Sequence, residues 1–220
     1  MAWGRVFRSA GLHDATVADA LRLRQEFALR SILDLRNKTE IDRQGTGPAS
    51  DGIRRSNVPL SADSAKSGGT ERLHALKNTG EFYLLQVRDQ DYSRRLVECL
   101  RFVAEAANHP LVFHCAAGKD RTGVLAACLL SVLGVGDRDI VEDYTRSARH
   151  MPGIIERYGR NPEDAKFLKS LPAWMHEAPA ASMELFLSSM TQDYGSIRGY
   201  LMSNGAEPSL FERLKETLLV

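Results

Sequence analysis

His114-Cys115-Ala116-Ala117-Gly118-Lys119-Asp120-Arg121-Thr122-Gly123 stands between an apolar triplet, Leu111-Val112-Phe113, and an apolar run that ends near Gly134. The triplet has the length and composition of a buried strand. The run from Thr122 to Leu133 reads as a buried helix. The ten residues between are therefore a strand-to-helix turn. A helix N-terminus concentrates unpaired N–H groups and the positive end of the helix dipole, so it attracts anions. Gly118 and Gly123 allow backbone conformations closed to other residues. The backbone of Ala116, Ala117, Gly118 and Lys119 is thus expected to form a nest for a phosphate.

Cys115 and Arg121 lie six positions apart across this turn. Arg121 can grip two phosphate oxygens with its planar fork, which a lysine cannot do. A site that favours anions also favours a thiolate, the reactive form of cysteine. A thiolate beside a cradled phosphate is placed to attack phosphorus. Thr122 is expected to hydrogen-bond the Cys115 sulfur, or else to satisfy the helix start. Asp120 is read as the general acid for the leaving oxygen and then as the base for water; Asp63, just past the next upstream strand, is the rival. Lys119 is either a second positive charge at the pocket mouth or a solvated side chain. The lysine loop of nucleotide hydrolases puts Gly-Lys-Ser/Thr at the helix start and coordinates magnesium. Here Asp120 follows Gly118-Lys119, so neither a metal nor a cofactor is expected.

Upstream, residues 4–9 are extended and 15–28 helical. Ser31 to Leu35 reads as a strand, and Asn37 with Glu40 as the capping pattern of a short helix reaching Gln44. Residues 45–52 are turn-rich, and Ile53 to Leu60 is another strand. The Ser/Gly/Ala-rich stretch 61–70, with two short helical pieces after it, is expected to form a lid over 61–91. Tyr92 to Ala107 is amphipathic, with Leu96, Cys99, Leu100 and Val103 on one stripe. The remainder is helical. Strands alternating with helices imply α/β architecture with a central parallel sheet flanked by helices. The segment 150–220 has no strand of its own and reads as a helical extension of one domain spanning 1–220. No internal repeat occurs.

In such a fold ligands gather at the strand ends. Asp34 and Arg36 end the second strand and are read as support for the loop. His114 points away from the Cys115 face by strand alternation and is expected to hold the loop backbone.

The chain has 220 residues, with 29 Lys plus Arg against 28 Asp plus Glu. That balance leaves no nucleic-acid footprint. The longest nearly apolar run, Gly123 to Val135, is too short to span a bilayer. Three cysteines without a paired framework fit a reducing compartment. The expected location is the cytoplasm, or outside the cell without a recognisable signal peptide.

The loop resembles that of the bacterial tyrosine/lipid phosphatases. Gly4-Arg5-Val6-Phe7-Arg8-Ser9, Asp34-Leu35-Arg36, Asp143-Tyr144-x-Arg146-Ser147 and Tyr194-Gly195-Ser196-x-x-Gly199-Tyr200-Leu201 are similar to further segments of that family. The resemblance implies a tyrosine-phosphatase-like fold and a phosphocysteine intermediate. It implies substrates among phosphotyrosine, phosphoserine/threonine and phosphoinositides. Myotubularins carry a similar Cys-x-x-Gly-x-Asp-Arg loop, which favours Asp120 as the acid by resemblance. Two other functions compete: a phosphate-binding module without turnover, and thiol redox chemistry. The second would need a resolving cysteine near Cys115, and Cys128 lies inside an apolar helix.

Overall fold

A computed structural model gives the fold, with residues 2–61 and 69–219 described. Four parallel strands form one sheet in the order β1-β4-β2-β3: β1 (Val6–Ser9), β2 (Ser31–Asp34), β3 (Arg54–Asn57) and β4 (Leu111–His114). β4 is central, with Phe113 opposite Arg8 of β1 and Leu33 of β2. Period-two alternation divides its side chains between two faces. Leu111 and Phe113 enter the main core, whereas Val112 joins Ile32, Leu29 and Ile53 in a small cluster on the other side.

Helices account for most of the rest. They are α1 (Val17–Gln25), α2 (Lys38–Gln44), α3 (Gly69–His74), α4 (Thr79–Val87), α5 (Gln90–Ala104), α6 (Asp120–Val132), α7 (Asp137–Thr145), α8 (Met151–Gly159), α9 (Pro162–Ser170), α10 (Ala180–Tyr194), α11 (Ile197–Ser203) and α12 (Pro208–Leu218). α5 begins two residues earlier than its apolar stripe suggests, because Asp89 caps it by accepting the Tyr92 N–H at 3.0 Å. β3 is shorter than the stretch 53–60. Beyond Asn57 the chain follows β2 only by single bonds, Val58 N–H to Asp34 O and Leu60 N–H to Leu35 O.

The expected lid, 61–91, is described only in part. Residues 62–68, which include Asp63, lie outside the described residues. α4 is core: Tyr83 is fully buried, with Phe82 and Val87 beside it. Its ring stands edge-on to Phe186 of α10 at 6.4 Å between centroids. Gly80 makes this approach possible, since a Cβ there would lie 3.0 Å from Ser182 O and from the Leu185 side chain. Phe186, Leu187, Leu201, Leu210, Phe211 and Leu214 bring the C-terminal helices into the same core as β4 and α6. Each such side chain stabilises the fold by about 1.5–3 kcal/mol through burial. No helix among the described residues is long and apolar enough to cross a membrane.

Candidate active site

The loop leaves the C-terminal end of β4 and enters α6 at Asp120. Cys115 is buried, and the Gly118 N–H points at its Sγ from 3.2 Å. Gly118 has φ +69°, and a Cβ there would meet Ser9 O at 2.6 Å. Only glycine fits this turn against the end of β1. The Gly11 N–H also bonds Ala116 O at 2.9 Å, fixing the loop from the same side. The N–H groups of Ala116 and Ala117 carry no hydrogen bond among the described residues. They are free to take an anion.

Arg121 is held by a carboxylate of α2. Its Nη1 and Nη2 donate to Glu40 Oε2 and Oε1 at 2.6 and 2.7 Å. That fork leaves the Nε edge of the guanidinium for another anion. Burial disfavours the Arg121 charge, and Glu40 more than offsets this, holding Arg121 protonated above its ordinary range. Burial likewise works against the Glu40 carboxylate, and Arg121 brings it below its usual value. Glu40 Oε2 also accepts the Asn37 N–H at 2.9 Å, while Asn37 Oδ1 accepts the Glu40 N–H. The capping box of α2 therefore aims the carboxylate at Arg121.

Asp120 is engaged through Oδ1, which accepts the Tyr83 hydroxyl at 2.8 Å and lies 3.3 Å from Lys119 Nζ. Tyr144 Oη is 2.8 Å from Tyr83 Oη. Burial pushes both phenols above their ordinary values, so both are neutral. Tyr83 gives its one proton to Asp120, so Tyr144 donates to Tyr83.

Lys119 is neither at a pocket mouth nor solvated. It is fully buried, and its Nζ donates to Met175 O at 2.7 Å and Glu177 O at 2.8 Å. Three donors on a compact ammonium suit two carbonyls and a carboxylate. Thr122 also differs from expectation. Its hydroxyl is buried and makes no hydrogen bond among the described residues, and the sulfur is met by the Gly118 N–H instead.

Asp34, Arg36 and His114 form a layer beneath the loop. Arg36 donates from Nε and Nη2 to Asp34, and Arg55 Nη2 adds a bond at 2.9 Å. Burial works to raise the Asp34 carboxyl, but Arg36 above all the opposing groups holds it at about 2. Burial keeps His114 below the usual imidazole range, against the pull of Asp34. His114 Nδ1 lies 3.0 Å from Cys115 O, so that nitrogen carries the proton. The remaining thiols are inert by burial, with Cys128 pushed up to about 12 and Cys99 also raised.

A model of the tyrosine phosphatase family matches residues 1–220. The chain belongs to the tyrosine phosphatase family. Among family relatives, the triple specificity protein phosphatase PtpB of Mycobacterium tuberculosis is 28% identical, over 98% of this chain and 91% of that protein. A tyrosine-protein phosphatase of Nostoc commune is 32% identical over 53% of this chain and 41% of its own length. The Siw14 catalytic core is a solved structure of 16% identity and TM-score 0.44, with 94% of each chain covered.

As a tyrosine phosphatase family member, the protein has the α/β architecture expected from its sequence. Two partners of its loop escaped sequence reading. Glu40 showed only its local capping signal, and Tyr83 stood in a segment taken for a lid. The signal that could have found Glu40 is the need of a buried arginine for a carboxylate.

Proposed function

We propose that this phosphatase works through Cys115, on phosphotyrosine and also on phosphoserine/threonine and phosphoinositides. The observation that carries the residue assignments is the arrangement at the end of β4. A cysteine sulfur, unpaired loop N–H groups and an arginine oriented by Glu40 belong to one turn between β4 and α6, which supports this reading. In the first step the Cys115 sulfur forms a bond to phosphorus as the bond to the leaving oxygen breaks. Asp120 supplies that oxygen with a proton. Arg121 and the N–H groups of Ala116 and Ala117 balance the charge on the non-bridging oxygens. In the second step a water attacks phosphorus and gives its proton to Asp120, and the thiolate leaves. Glu40 acts as a positioning residue by orienting Arg121.

The names of relatives support the breadth of substrates. They include a triple specificity protein phosphatase and, over 36% of this chain, an inositol diphosphatase of Oryza sativa subsp. japonica at 34% identity. Phosphoinositide-only activity is the narrower reading. The test is Cys115→Ser with para-nitrophenyl phosphate as substrate. Turnover should fall by about a hundredfold or more, because a serine hydroxyl is hardly ionised. Phosphate binding should persist, since the nest is intact. Wild-type-like turnover in the serine variant would remove Cys115 as nucleophile, and absent turnover in the wild type would remove the phosphatase reading.

A further inference from the structure

Two buried tyrosines from different elements meet Asp120 in single file. Tyr83 of α4 is fully buried and Tyr144 of α7 nearly so, which leaves neither hydroxyl bulk water as a partner. Tyr83 Oη lies 2.8 Å from Asp120 Oδ1 and 2.8 Å from Tyr144 Oη. The rings hold these hydroxyls in place. They cross edge-on with 6.1 Å between centroids, and Phe186 meets Tyr83 edge-on from α10. Tyr144 lies so close to the start of α6 that a Cβ on Gly123 would come within 3.0 Å of its ring. The neighbouring Asp143 is paired with Arg8 of β1, which ties α7 to the sheet.

The order of protons along this file follows from what each group can do. The Lys119 ammonium, 3.3 Å from Asp120 Oδ1, has donors only. A carboxyl oxygen that carries the proton is the weaker acceptor. The ammonium and the Tyr83 hydroxyl therefore both favour leaving Oδ1 bare. Tyr83 donates to Oδ1 and Tyr144 donates to Tyr83, and each bond polarises the next in a low-dielectric interior. Oδ2 has no hydrogen bond among the described residues, and the Asp120 side chain is 17% exposed.

We propose that Tyr83 and Tyr144 are positioning residues for proton transfer: acting through Oδ1, they fix the rotation of the Asp120 carboxyl and keep its exchangeable proton on Oδ2. The inference rests on Asp120 as the acid, as proposed above, and adds the groups that aim it. Neither tyrosine exchanges a proton with substrate. As Oδ2 gives its proton to the leaving oxygen, the charge that develops on the carboxylate is met at Oδ1 by the Tyr83 hydroxyl and the Lys119 ammonium. In the second step the proton from water returns to Oδ2, and the file is unchanged.

The test measures single-turnover phosphoenzyme formation on an alkyl phosphate and on para-nitrophenyl phosphate. It uses the wild type, Tyr83→Phe, Tyr144→Phe, the double variant and Asp120→Asn. Tyr83→Phe keeps the ring and removes the donor to Oδ1. It should slow the alkyl phosphate about tenfold and para-nitrophenyl phosphate less than about twofold, because only the poor leaving group needs the aimed proton. Tyr144→Phe should show the same split at about threefold, since it only weakens the Tyr83 bond. The double variant should match Tyr83→Phe, because Tyr144 acts through a hydroxyl that is already gone. A merely structural role would slow both substrates equally, and the two losses would multiply; either result overturns the inference. So would wild-type rates in Tyr83→Phe on both substrates. If Tyr83→Phe does not fold, the leaving-group split of Tyr144→Phe decides. Asp120→Asn separates the two layers of the argument. Leaving-group dependence there, with none in either tyrosine variant, overturns the positioning role and leaves the acid standing. No dependence in Asp120→Asn removes the acid, and the positioning role with it.

Discussion

Asp120 shows how much a single carboxylate is shaped by its neighbours. Oδ1 is occupied by Tyr83 and Lys119, which leaves Oδ2 for a proton on the proposed path. Proton donation matters most when the leaving group is poor. Asp120→Asn should slow phosphoenzyme formation from an alkyl phosphate by about a hundredfold more than from para-nitrophenyl phosphate. Single-turnover kinetics isolates that step. If Asp63→Asn shows the leaving-group dependence and Asp120→Asn does not, Asp120 only organises the loop. The residue types of the loop were legible because Cys, Gly, Arg and Asp at fixed spacing have few other uses. Lys119 was not legible: its partners are backbone carbonyls 56 and 58 residues later, and a carbonyl leaves no mark in a sequence.

Among the elements, α2 carries more than its length suggests. A seven-residue helix is marginal alone, and its capping box fixes its first turn. That first turn contains Glu40. Asn37→Ala should cost about 0.5–2 kcal/mol of stability, read by urea unfolding. It should also lower kcat/KM, because the carboxylate that aims Arg121 loses its own anchor. Glu40→Gln should lower kcat/KM further while preserving much of the cap, since glutamine can still accept the Asn37 N–H. A drop in stability without any kinetic effect in either variant would separate α2 from the site. The strand-loop-helix unit around β4 was readable from apolar runs and glycine placement alone. The packing of α4 was not legible, because its neighbours in sequence are polar and small, while its apolar face meets α10 a hundred residues later in the chain. Periodicity within nine residues cannot name so distant a partner.

At the scale of the molecule, the layer beneath the loop ties catalytic geometry to global stability. Asp34 is depressed to about 2 in the folded chain, against about 3.9 when unfolded. Its contribution is therefore complete above about pH 4 and is lost as pH falls through about 2. Asp34→Asn should destabilise the protein by about 3–5 kcal/mol near neutrality, because Arg36 is left buried without its partner. The difference from wild type should shrink between about pH 4 and pH 2 in thermal unfolding. A difference that stays constant over that window would show that Asp34 does not carry the charge. Lys119 sets a different kind of limit, one of timing. The ribosome releases the full Cys-to-Arg motif well before residues 175 and 177 emerge, yet the lysine inside that motif finds its two carbonyl acceptors there. A nascent chain arrested near residue 150 would display every letter of the signature and still lack both carbonyls that hold its lysine. Newly made molecules would then acquire their activity late in synthesis, when the second half of the chain closes over the first.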